Sequence, residues 1–372
     1  METGVCRWGI LGTAGIARKN WQAIARSGNA TLTAVASRLR DRSRSFVAAC
    51  QGACPMPTAP TALGSYDELL AREDVDAVYV PLPTGVRKEW VLKAAEAGKH
   101  VLVEKPVGVT AADVREMLAA CDRSRVQFMD GVMFMHSRRL EALRRTLDDG
   151  ESVGRIRRIA AQFSFPAPEG FLQENIRGDS RLEPDGCLGD LGWYTIRFAL
   201  WAMKYEMPTG VTARLLAEAG PSGRADKVPF EVSGELSFAG GVSAAFYCSF
   251  LTANEQWACV SGTKGLVHLP DFVLPFFGDE VRFDLTRSDF QVDGCDFDML
   301  RRTRQVVVPE YANSHSSAQE ANMFRAFSTL VVTGRREAHW GDVALRTQLV
   351  LDACRESAAS GRTVAISGPP PP

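Results

Sequence analysis

"RWGILGTAGIARKNWQAIAR", residues 7–26, is the stretch that decides the fold of this chain. An apolar, β-rich run leads into a glycine-containing turn, and an amphipathic helical pattern follows the turn. From Gly12 the turn reads G-T-A-G-I-A, whereas the fingerprint of a dinucleotide-binding loop reads G-x-G-x-x-G. The order of strand, loop and helix is the one that such a loop requires. The stretch therefore predicts the opening unit of an α/β sheet that binds a nucleotide at this loop.

The same alternation continues along the first third of the chain. Further β-rich runs at 31–37, 75–83, 100–107 and 126–132 are separated by amphipathic helical patterns. Several of these runs are almost continuously apolar, as strands buried on both faces of a parallel sheet are. Residues 1–130 are therefore predicted to form a Rossmann domain, a doubly wound parallel sheet whose ligands bind at the carboxyl ends of its strands.

The second part of the chain has longer strands with shorter connections. In residues 230–238, apolar and polar side chains alternate, which is typical of a sheet with one buried face. Helical segments near 186–203 and 316–333 are expected to cover this sheet. Residues 131–366 are therefore predicted to form an α+β domain with a large, mostly antiparallel sheet, whose flat open face offers a surface for dimerisation. The final segment, "SGPPPP" at 367–372, predicts a disordered tail.

The composition restricts the class of protein. The chain has 372 residues, enough for two domains, with 45% hydrophobic residues and a formal net charge of −1. This balance argues against nucleic acid or an anionic membrane as the main partner. No apolar run approaches the roughly 20 residues of a membrane helix, and no secretory signal is evident. The nine cysteines form no CxxC pair, which predicts a cytoplasmic protein with reduced thiols and no metal site.

The glycine loop predicts the position of a bound pyrophosphate. Gly12 would make the tight turn, Ala14 stands where a second glycine lets the backbone approach the phosphates, and the helix amides would bind the anion. The predicted cofactor-binding residues of the loop are Gly12, Thr13, Ala14, Gly15 and Ile16. Taken alone, the loop is equally consistent with a glycine-rich turn that binds nothing.

The end of the second strand indicates which dinucleotide binds. An NAD enzyme has an acidic residue there, which binds the ribose hydroxyls. Here the strand ends in Ser37-Arg38, Arg42 follows, and Asp41 comes only four residues after Ser37. A hydroxyl and guanidinium groups suit the 2′-phosphate of NADP, so NADP is favoured over NAD. The alternative is that Arg38, Arg40 and Arg42 only solvate the start of a helix.

Two further stretches carry groups suited to proton transfer. "HVLVEKP" places Glu104, Lys105 and a proline at the end of an apolar strand, so the lysine would reach the crevice that holds the cofactor. "GDLGWYTIR" places Asp190 and Tyr194 four residues apart, on one face of a helix, with Arg197 three residues further on. An ammonium group near a tyrosine favours its phenolate, which makes the phenol a proton donor and acceptor near neutral pH.

Together these motifs resemble the Gfo/Idh/MocA family, also called the glucose-fructose oxidoreductase family. The resemblance rests on the loop at 9–17, "VYVPLPTG" at 78–85, "EKPV" at 104–107, "NIRGDSRLEPDG" at 175–186 and "GDLGWYTIR" at 189–197. It extends over nearly the whole chain. Within the family, the sequence is most similar to the branch of trans-1,2-dihydrobenzene-1,2-diol dehydrogenases and NADP-dependent D-xylose dehydrogenases, in which a tyrosine fills the acid/base position.

The resemblance implies a role for each matching residue. Lys105 would be the catalytic lysine, Tyr194 the acid/base and Asp190 the carboxylate that orients the substrate. The other implied site residues are Pro81, Leu82, Pro83 and Glu104 at the cofactor, and Asn175, Arg177 and Arg197 at the substrate. The asparagine and the first of these arginines could equally brace a loop between the domains. Family members hold the Lys-Pro peptide in cis and form homodimers, so both are expected here.

The reaction that the resemblance implies is an NADP-dependent dehydrogenation of a sugar, polyol or vicinal diol. NADP would accept a hydride from a carbinol carbon, Tyr194 would remove the hydroxyl proton, and Lys105 would stabilise the developing charge. Two alternatives stay open: a non-catalytic dinucleotide sensor or regulator, and a glycosidase that uses NAD on the same scaffold. Arg87 stands where relatives often have histidine, two residues after Gly85, so one wall of the crevice differs and the particular substrate is not transferable. His136 is expected to be a packing or interdomain residue.

Overall fold

The computed structural model describes residues 4–221 and 226–366. The chain divides into two compact units, each assembled from separate segments. The first unit comprises Met1–His136, Asp179–Pro184 and Asn313–Gln348, and the second comprises Ser137–Gly178, Asp185–Ala312 and Leu349–Pro372. The predicted tail at 367–372 lies outside the described residues.

The first unit is built on a parallel sheet. Its strands are β1 (Cys6–Leu11), β2 (Ala30–Ala36), β3 (Thr61–Leu63), β4 (Ala77–Val80), β5 (His100–Val103) and β6 (Phe128–Asp130). They lie in the order β3-β2-β1-β4-β5-β6, and every pair is parallel. The connecting helices are α1 (Gly15–Arg26), α2 (Arg40–Ala53), α3 (Tyr66–Leu70), α4 (Thr84–Glu96) and α5 (Ala111–Arg123). The predicted doubly wound sheet is confirmed, and its strand order reverses between β1 and β4, where such sheets bind ligands.

The second unit is built on a nine-stranded sheet. Its strands are β7 (Ile156–Ser164), β8 (Gly210–Ala219), β9 (Val228–Ser237), β10 (Ser243–Ser249), β11 (Glu255–Gly262), β12 (Leu266–Leu269), β13 (Glu280–Asp293), β14 (Asp296–Pro309) and β15 (Val364–Ala365). The order is β14-β13-β12-β11-β7-β10-β9-β8-β15, and all pairs are antiparallel except β7 with β10. Its helices are α6 (Arg139–Asp148), α7 (Phe171–Glu174) and α8 (Trp193–Ala202). The predicted mostly antiparallel sheet is confirmed.

The alternation predicted in residues 230–238 is also present. Phe230, Val232, Leu236 and Phe238 are each at most 5% exposed, whereas Glu231, Ser233 and Glu235 are half-buried and Ser237 is exposed. One face of the sheet is therefore covered and the other is open, as the period of two predicts.

A long hairpin extends from the edge of this sheet. The strand β13 pairs with β12 only up to Thr286, and beyond that point it pairs with β14 alone among the described residues. Residues 287–302, here called the hairpin arm, are exposed throughout. Phe290 and Phe297 lie on one face of the arm with their ring centroids 6.1 Å apart, and the turn at its tip contains Cys295.

Residues 313–348 belong to the first unit, which differs from the predicted domain limits of 1–130 and 131–366. The helix α9 (Gln319–Val332) contacts β1 through Trp8, whose Nε1 donates to Ser328 Oγ at 3.0 Å. The rings of Phe324 and Phe327 lie 5.0 Å from the Trp8 ring. The amphipathic pattern at 316–333 does predict a helix, but the helix buries its apolar face in the first unit rather than on the second sheet. It is followed by α10 (His339–Ser360).

Membrane-spanning helices, metal-binding clusters and disulfides are all absent from the described residues. In residues 4–221 and 226–366, no helix is long and apolar enough to cross a membrane. Within the same residues, no group of three or more His, Cys, Asp or Glu is placed to hold a metal ion. All nine cysteines are free thiols.

Candidate active site

The loop between β1 and α1 has the geometry of an anion-binding site. Gly12 has φ +109°, and a Cβ there would lie 3.1 Å from Leu82 Cδ2, so the position requires glycine. Ala14 is the N-cap of α1, and no described side chain caps the helix or places an acidic group in its first turn. The unpaired amides and the positive end of the helix dipole are therefore available to a negatively charged group. Leu82, predicted from a separate motif, lies beside the loop.

Arg38 follows Ser37 directly after β2, the strand that pairs with β1. Burial raises the pKa of Tyr66, and the charge of Arg38 lowers it. The Tyr66 hydroxyl is in turn 3.7 Å from the Cβ position of Gly12. Ser37 is buried, and its N–H donates to Leu63 O at 3.2 Å. The structure thus gathers the predicted phosphate-binding residues of β1 and β2 at one edge of the sheet.

The arginines of the run after β2 differ in their partners. Arg40 pairs with Glu68 at 2.9 Å, and Arg44 lies 3.6 Å from Asp41. Arg38 and Arg42 are exposed and pair with no acidic group in the described part of the chain. An exposed guanidinium without a protein partner can bind a phosphate at little cost. Arg38 therefore fits a 2′-phosphate better than Arg40 does.

The backbone of Lys105 is held at the end of β5 by a buried polar network. Glu104 Oε1 accepts from Tyr79 Oη at 2.5 Å and from Asn20 Nδ2 at 3.5 Å, and Glu104 Oε2 accepts from the Lys105 N–H at 3.3 Å. Burial and the neighbouring carboxylate raise the pKa of Tyr79 well above its usual value, so the phenol stays protonated and donates. The predicted cofactor residue Glu104 thus directs its carboxylate to the protein. The Lys105-Pro106 peptide is cis, as expected.

Arg87 lies beneath the loops rather than on an open wall of the crevice. Its side chain is 3% exposed, and it donates to the carbonyl oxygens of Leu82 and Pro106. Burial lowers the pKa of Arg87, while Glu183 and Glu104 raise it. The predicted effect of this arginine on the crevice wall is therefore indirect, because its guanidinium contacts main-chain atoms.

Residues 179–184 contact the start of α4. The N–H and Oγ1 of Thr84 donate to the two carboxylate oxygens of Glu183, at 3.1 and 2.7 Å, and the Gly85 N–H donates to Leu182 O at 2.9 Å. A Cβ on Gly85 would lie 2.0 Å from Arg181 O. Glycine at this position therefore permits the close approach of the segment.

In the second unit, Asp190 and Tyr194 lie at the start of a buried helix. Asp190 is in a π-helical turn, Leu188–Gly192, that runs directly into α8. Such turns occur frequently at functional sites. Tyr194 is 6% exposed, and its ring centroid lies 5.6 Å from that of Phe163 on β7. The carboxylate of Asp190 forms a two-point ion pair with Arg177, with N–O distances of 2.6 and 3.0 Å.

The predicted substrate residues take different positions in the second unit. Asn175 Oδ1 accepts from the backbone N–H of Arg177 at 3.1 Å, so Asn175, Arg177 and Asp190 form one cluster. Arg197 is 0% exposed, and its guanidinium carbon lies 5.8 Å from the Trp193 ring centroid. Its substrate contact stays a prediction, and every residue of α8 is buried.

Sequence reasoning missed several residues of the site. Asn20, Tyr66, Tyr79 and Glu183 contact predicted residues but were not themselves predicted. Tyr79 and Glu183 lie within the quoted motifs at 78–85 and 175–186. Asn20, Tyr66 and Tyr79 are at most 8% exposed. In the sequence, the available signal for these three residues is a polar atom at a position that the helix or strand pattern predicts to be buried. His136 stacks on Trp340 at 4.6 Å, in agreement with the predicted packing role.

Two family profiles match the chain. The profile of the oxidoreductase family with an NAD-binding Rossmann fold matches residues 6–132, and that of the GFO/IDH/MocA C-terminal domain matches residues 140–268. The chain belongs to the Gfo/Idh/MocA oxidoreductase family. The resemblance drawn from the motifs is thereby confirmed, and the first match spans all six strands of the parallel sheet.

Relatives within the Gfo/Idh/MocA family include members of the predicted branch. The D-xylose 1-dehydrogenase (NADP(+)) 2 of Haloferax volcanii is 29% identical over 96% of this chain and 99% of its own length. The trans-1,2-dihydrobenzene-1,2-diol dehydrogenase of Mus musculus is 32% identical over 72% of this chain and 76% of its own. A 3-ketoreductase from Actinomadura kijaniata, solved with NADP and TDP-benzene, shares 28% identity with a TM-score of 0.81, covering 95% of this chain and 98% of that one.

Proposed function

We propose that this family member is an NADP-dependent oxidoreductase that transfers a hydride between nicotinamide and a carbinol or carbonyl carbon of a sugar, polyol or vicinal diol. The observation that carries the proposal is the position of Lys105. Its backbone is fixed at the carboxyl end of β5 by Glu104, and the glycine loop lies at the carboxyl end of β1 in the same parallel sheet. A lysine held there can act on chemistry at a dinucleotide bound to that loop.

The residues of the first unit fit the phosphates of NADP. The uncapped start of α1, with Gly12, Thr13, Ala14, Gly15 and Ile16, would hold the pyrophosphate. Arg38, with Ser37 and Arg42, would hold the 2′-phosphate. Pro81, Leu82 and Pro83 would line the nicotinamide. When bound, the nicotinamide supplies hydride transfer, which no side chain can provide.

In the proposed mechanism, the side chains move a proton and stabilise charge. Tyr194 exchanges a proton with the substrate oxygen as acid or base, and Lys105 stabilises the charge that develops on that oxygen. Asp190 orients the substrate hydroxyl and is itself held by Arg177. We also propose a homodimer formed through the open face of the nine-stranded sheet. The cytoplasmic location indicated by the cysteines stays a prediction.

The proposal is tested with purified protein and a panel of substrates. D-xylose, D-glucose and benzene dihydrodiol are each incubated with NADP⁺ or NAD⁺, and a dTDP-linked keto sugar with NADPH, while the absorbance of the reduced nicotinamide is followed. We expect turnover with at least one compound and a preference for NADP. Binding of NADP without any turnover would support the sensor alternative. Release of p-nitrophenol from a nitrophenyl glycoside without net cofactor reduction would support the glycosidase alternative.

A further inference from the structure

One buried guanidinium joins the two loops that flank the proposed nicotinamide site. Arg87 lies in the first turns of α4, and its Nε donates to Leu82 O at 2.9 Å, with Nη2 directed to the same oxygen. Its Nη1 donates to Pro106 O. The first carbonyl belongs to the loop after β4, and the second follows Lys105 directly. A single side chain therefore fixes the two loops relative to each other.

The backbone of Lys105 is held on both sides as a result. On the amino side, the Lys105 N–H donates to Glu104 Oε2 at 3.3 Å. On the carboxyl side, the carbonyl of the next residue accepts from Arg87. The planar peptide and the fixed φ of Pro106 leave few rotations between the lysine Cα and that carbonyl. Removal of the guanidinium would release one of the two anchors.

The hydrogen-bond partners of Arg87 are main-chain carbonyls, and the two nearby carboxylates are held by other groups. Burial lowers the pKa of Arg87, and Glu183 and Glu104 partly offset this; Glu104 accepts from Tyr79 and Glu183 from Thr84. The planar guanidinium carries several donors, and it can therefore reach the two carbonyl oxygens of Leu82 and Pro106 at once. Lysine offers a single ammonium centre and cannot reproduce that geometry.

We propose that Arg87 is a positioning residue, which acts through Lys105 by clamping the Leu82 and Pro106 carbonyls. The proposal rests on the function proposed above, because the lysine is its target. It assigns no contact between Arg87 and substrate or cofactor. A misplacement of a reacting group by about 1 Å can cost on the order of 100-fold in rate, so the clamp is expected to affect turnover more than binding.

The first experiment separates turnover from binding. In the full-length protein, R87M and R87K are compared with wild type on the best substrate of the panel. For R87M, kcat is expected to fall about 10- to 100-fold with the KM for NADPH within about threefold. R87K should resemble R87M, because the charge returns without the two-carbonyl fork. If R87M does not fold, R87K, which retains the positive charge, is used for the same comparison of kcat and KM.

The matched control is K88M, one residue further along α4. Lys88 is a partly exposed cation that pairs with Asp113 at 2.9 Å and with Glu116 on α5. Loss of such a pair changes stability by at most about 1 kcal/mol, and kcat should stay within about twofold of wild type. An equal loss of kcat in K88M would show that any cation on this helix matters, which contradicts the clamp.

The second experiment asks whether Arg87 acts through the lysine. K105M and the double variant R87M/K105M are assayed at high enzyme concentration, so that residual rates are measurable. If the clamp serves only to place Lys105, the double variant should be as slow as K105M, within about twofold. If Arg87 instead has a purely structural role, the R87M substitution should lower the rate of K105M by the same factor by which it lowers the wild-type rate.

The outcomes distinguish this inference from the proposed function. Wild-type kcat in R87M or R87K, together with an impaired K105M, overturns the clamp and leaves the proposed function intact. Full activity of K105M overturns the role of the lysine and the inference with it. A loss in R87M that is absent in the K105M background supports both.

Discussion

The two units carry their proposed functional groups in different ways. In the first unit, the groups lie where parallel strands end, so Gly12, Ser37-Arg38, Pro81–Pro83 and Lys105 share one sheet edge by topology alone. In the second unit, they lie in two irregular stretches, 175–178 and 185–194, which contain a 3₁₀ turn, a π-helical turn and the start of α8. The phosphate-binding groups and Lys105 are therefore positioned by the order of the elements, and the proposed acid/base and its partners by local departures from regular structure. This division predicts separable effects of mutations at the phosphate-binding residues and at Tyr194.

The largest effect is expected from the second unit. Y194F removes the proposed acid/base, and loss of such a group costs about 10²- to 10⁴-fold in rate. We expect kcat to fall by this factor while the Kd for NADPH, measured by fluorescence titration, stays nearly unchanged. The matched control is Y247F, whose hydroxyl donates to Glu231 on the neighbouring strand β9. A large loss of NADPH affinity in Y194F would break the division between the units.

A smaller effect is expected at the phosphate-binding residues of the first unit, on cofactor binding alone. R38A removes one charged hydrogen bond to the 2′-phosphate, worth about 1.5–3 kcal/mol, so the Kd for NADP should rise about 10- to 100-fold. The Kd for NAD should change by less than about twofold. Titration calorimetry with both cofactors measures this, and R40A serves as the control because Arg40 already pairs with Glu68. Equal losses for both cofactors would remove Arg38 from the 2′-phosphate site.

The smallest effect concerns the segment at 179–184, whose sequence neighbours belong to the second unit although it belongs to the first. In G85A, the new methyl would lie 2.0 Å from Arg181 O, and we expect the free energy of unfolding to fall by about 1–3 kcal/mol. The control G52A adds a methyl in α2 with no atom within 4 Å and should stabilise by up to about 1 kcal/mol. Urea denaturation measures both. Equal stability of G85A and wild type would show that the contact with α4 contributes little.

Much of the fold follows from hydrophobic periodicity, and the exceptions have physical reasons. Several of the runs around β1, β2, β4, β5 and β6 are almost continuously apolar, as expected where both faces of a sheet are covered. The pattern at 316–333 reveals an apolar helix face but not its partner, and only the structure shows that α9 covers Trp8. The hairpin arm is not predicted from the sequence, because neither of its faces is buried. Its apolar and polar residues therefore do not alternate clearly enough to indicate a strand.

The same limits apply to the candidate site. Gly12, Arg38 and Lys105 could be predicted because strand ends meet at one edge regardless of side-chain detail. The motifs predict Glu104 at the cofactor and Arg87 at the crevice wall, whereas in the structure both side chains contact protein groups. The partners of Glu104 are Tyr79 and Asn20, on other elements, and those of Arg87 are the carbonyls of Leu82, five positions earlier, and of Pro106, on another loop. The pairings between elements cannot be deduced from a single motif.

The hairpin arm also carries a cysteine that is suited to selective labelling by thiol reagents. Cys295 at its tip is exposed, whereas the other cysteines are buried or half-buried. Burial raises the pKa of Cys6 and Cys121 to about 12, so these thiols hold almost no reactive thiolate near neutral pH. A thiol-directed fluorophore therefore reacts preferentially at Cys295, about 30 Å along a two-stranded arm from the sheet. The unmodified chain thus contains its own site for spectroscopic distance measurements.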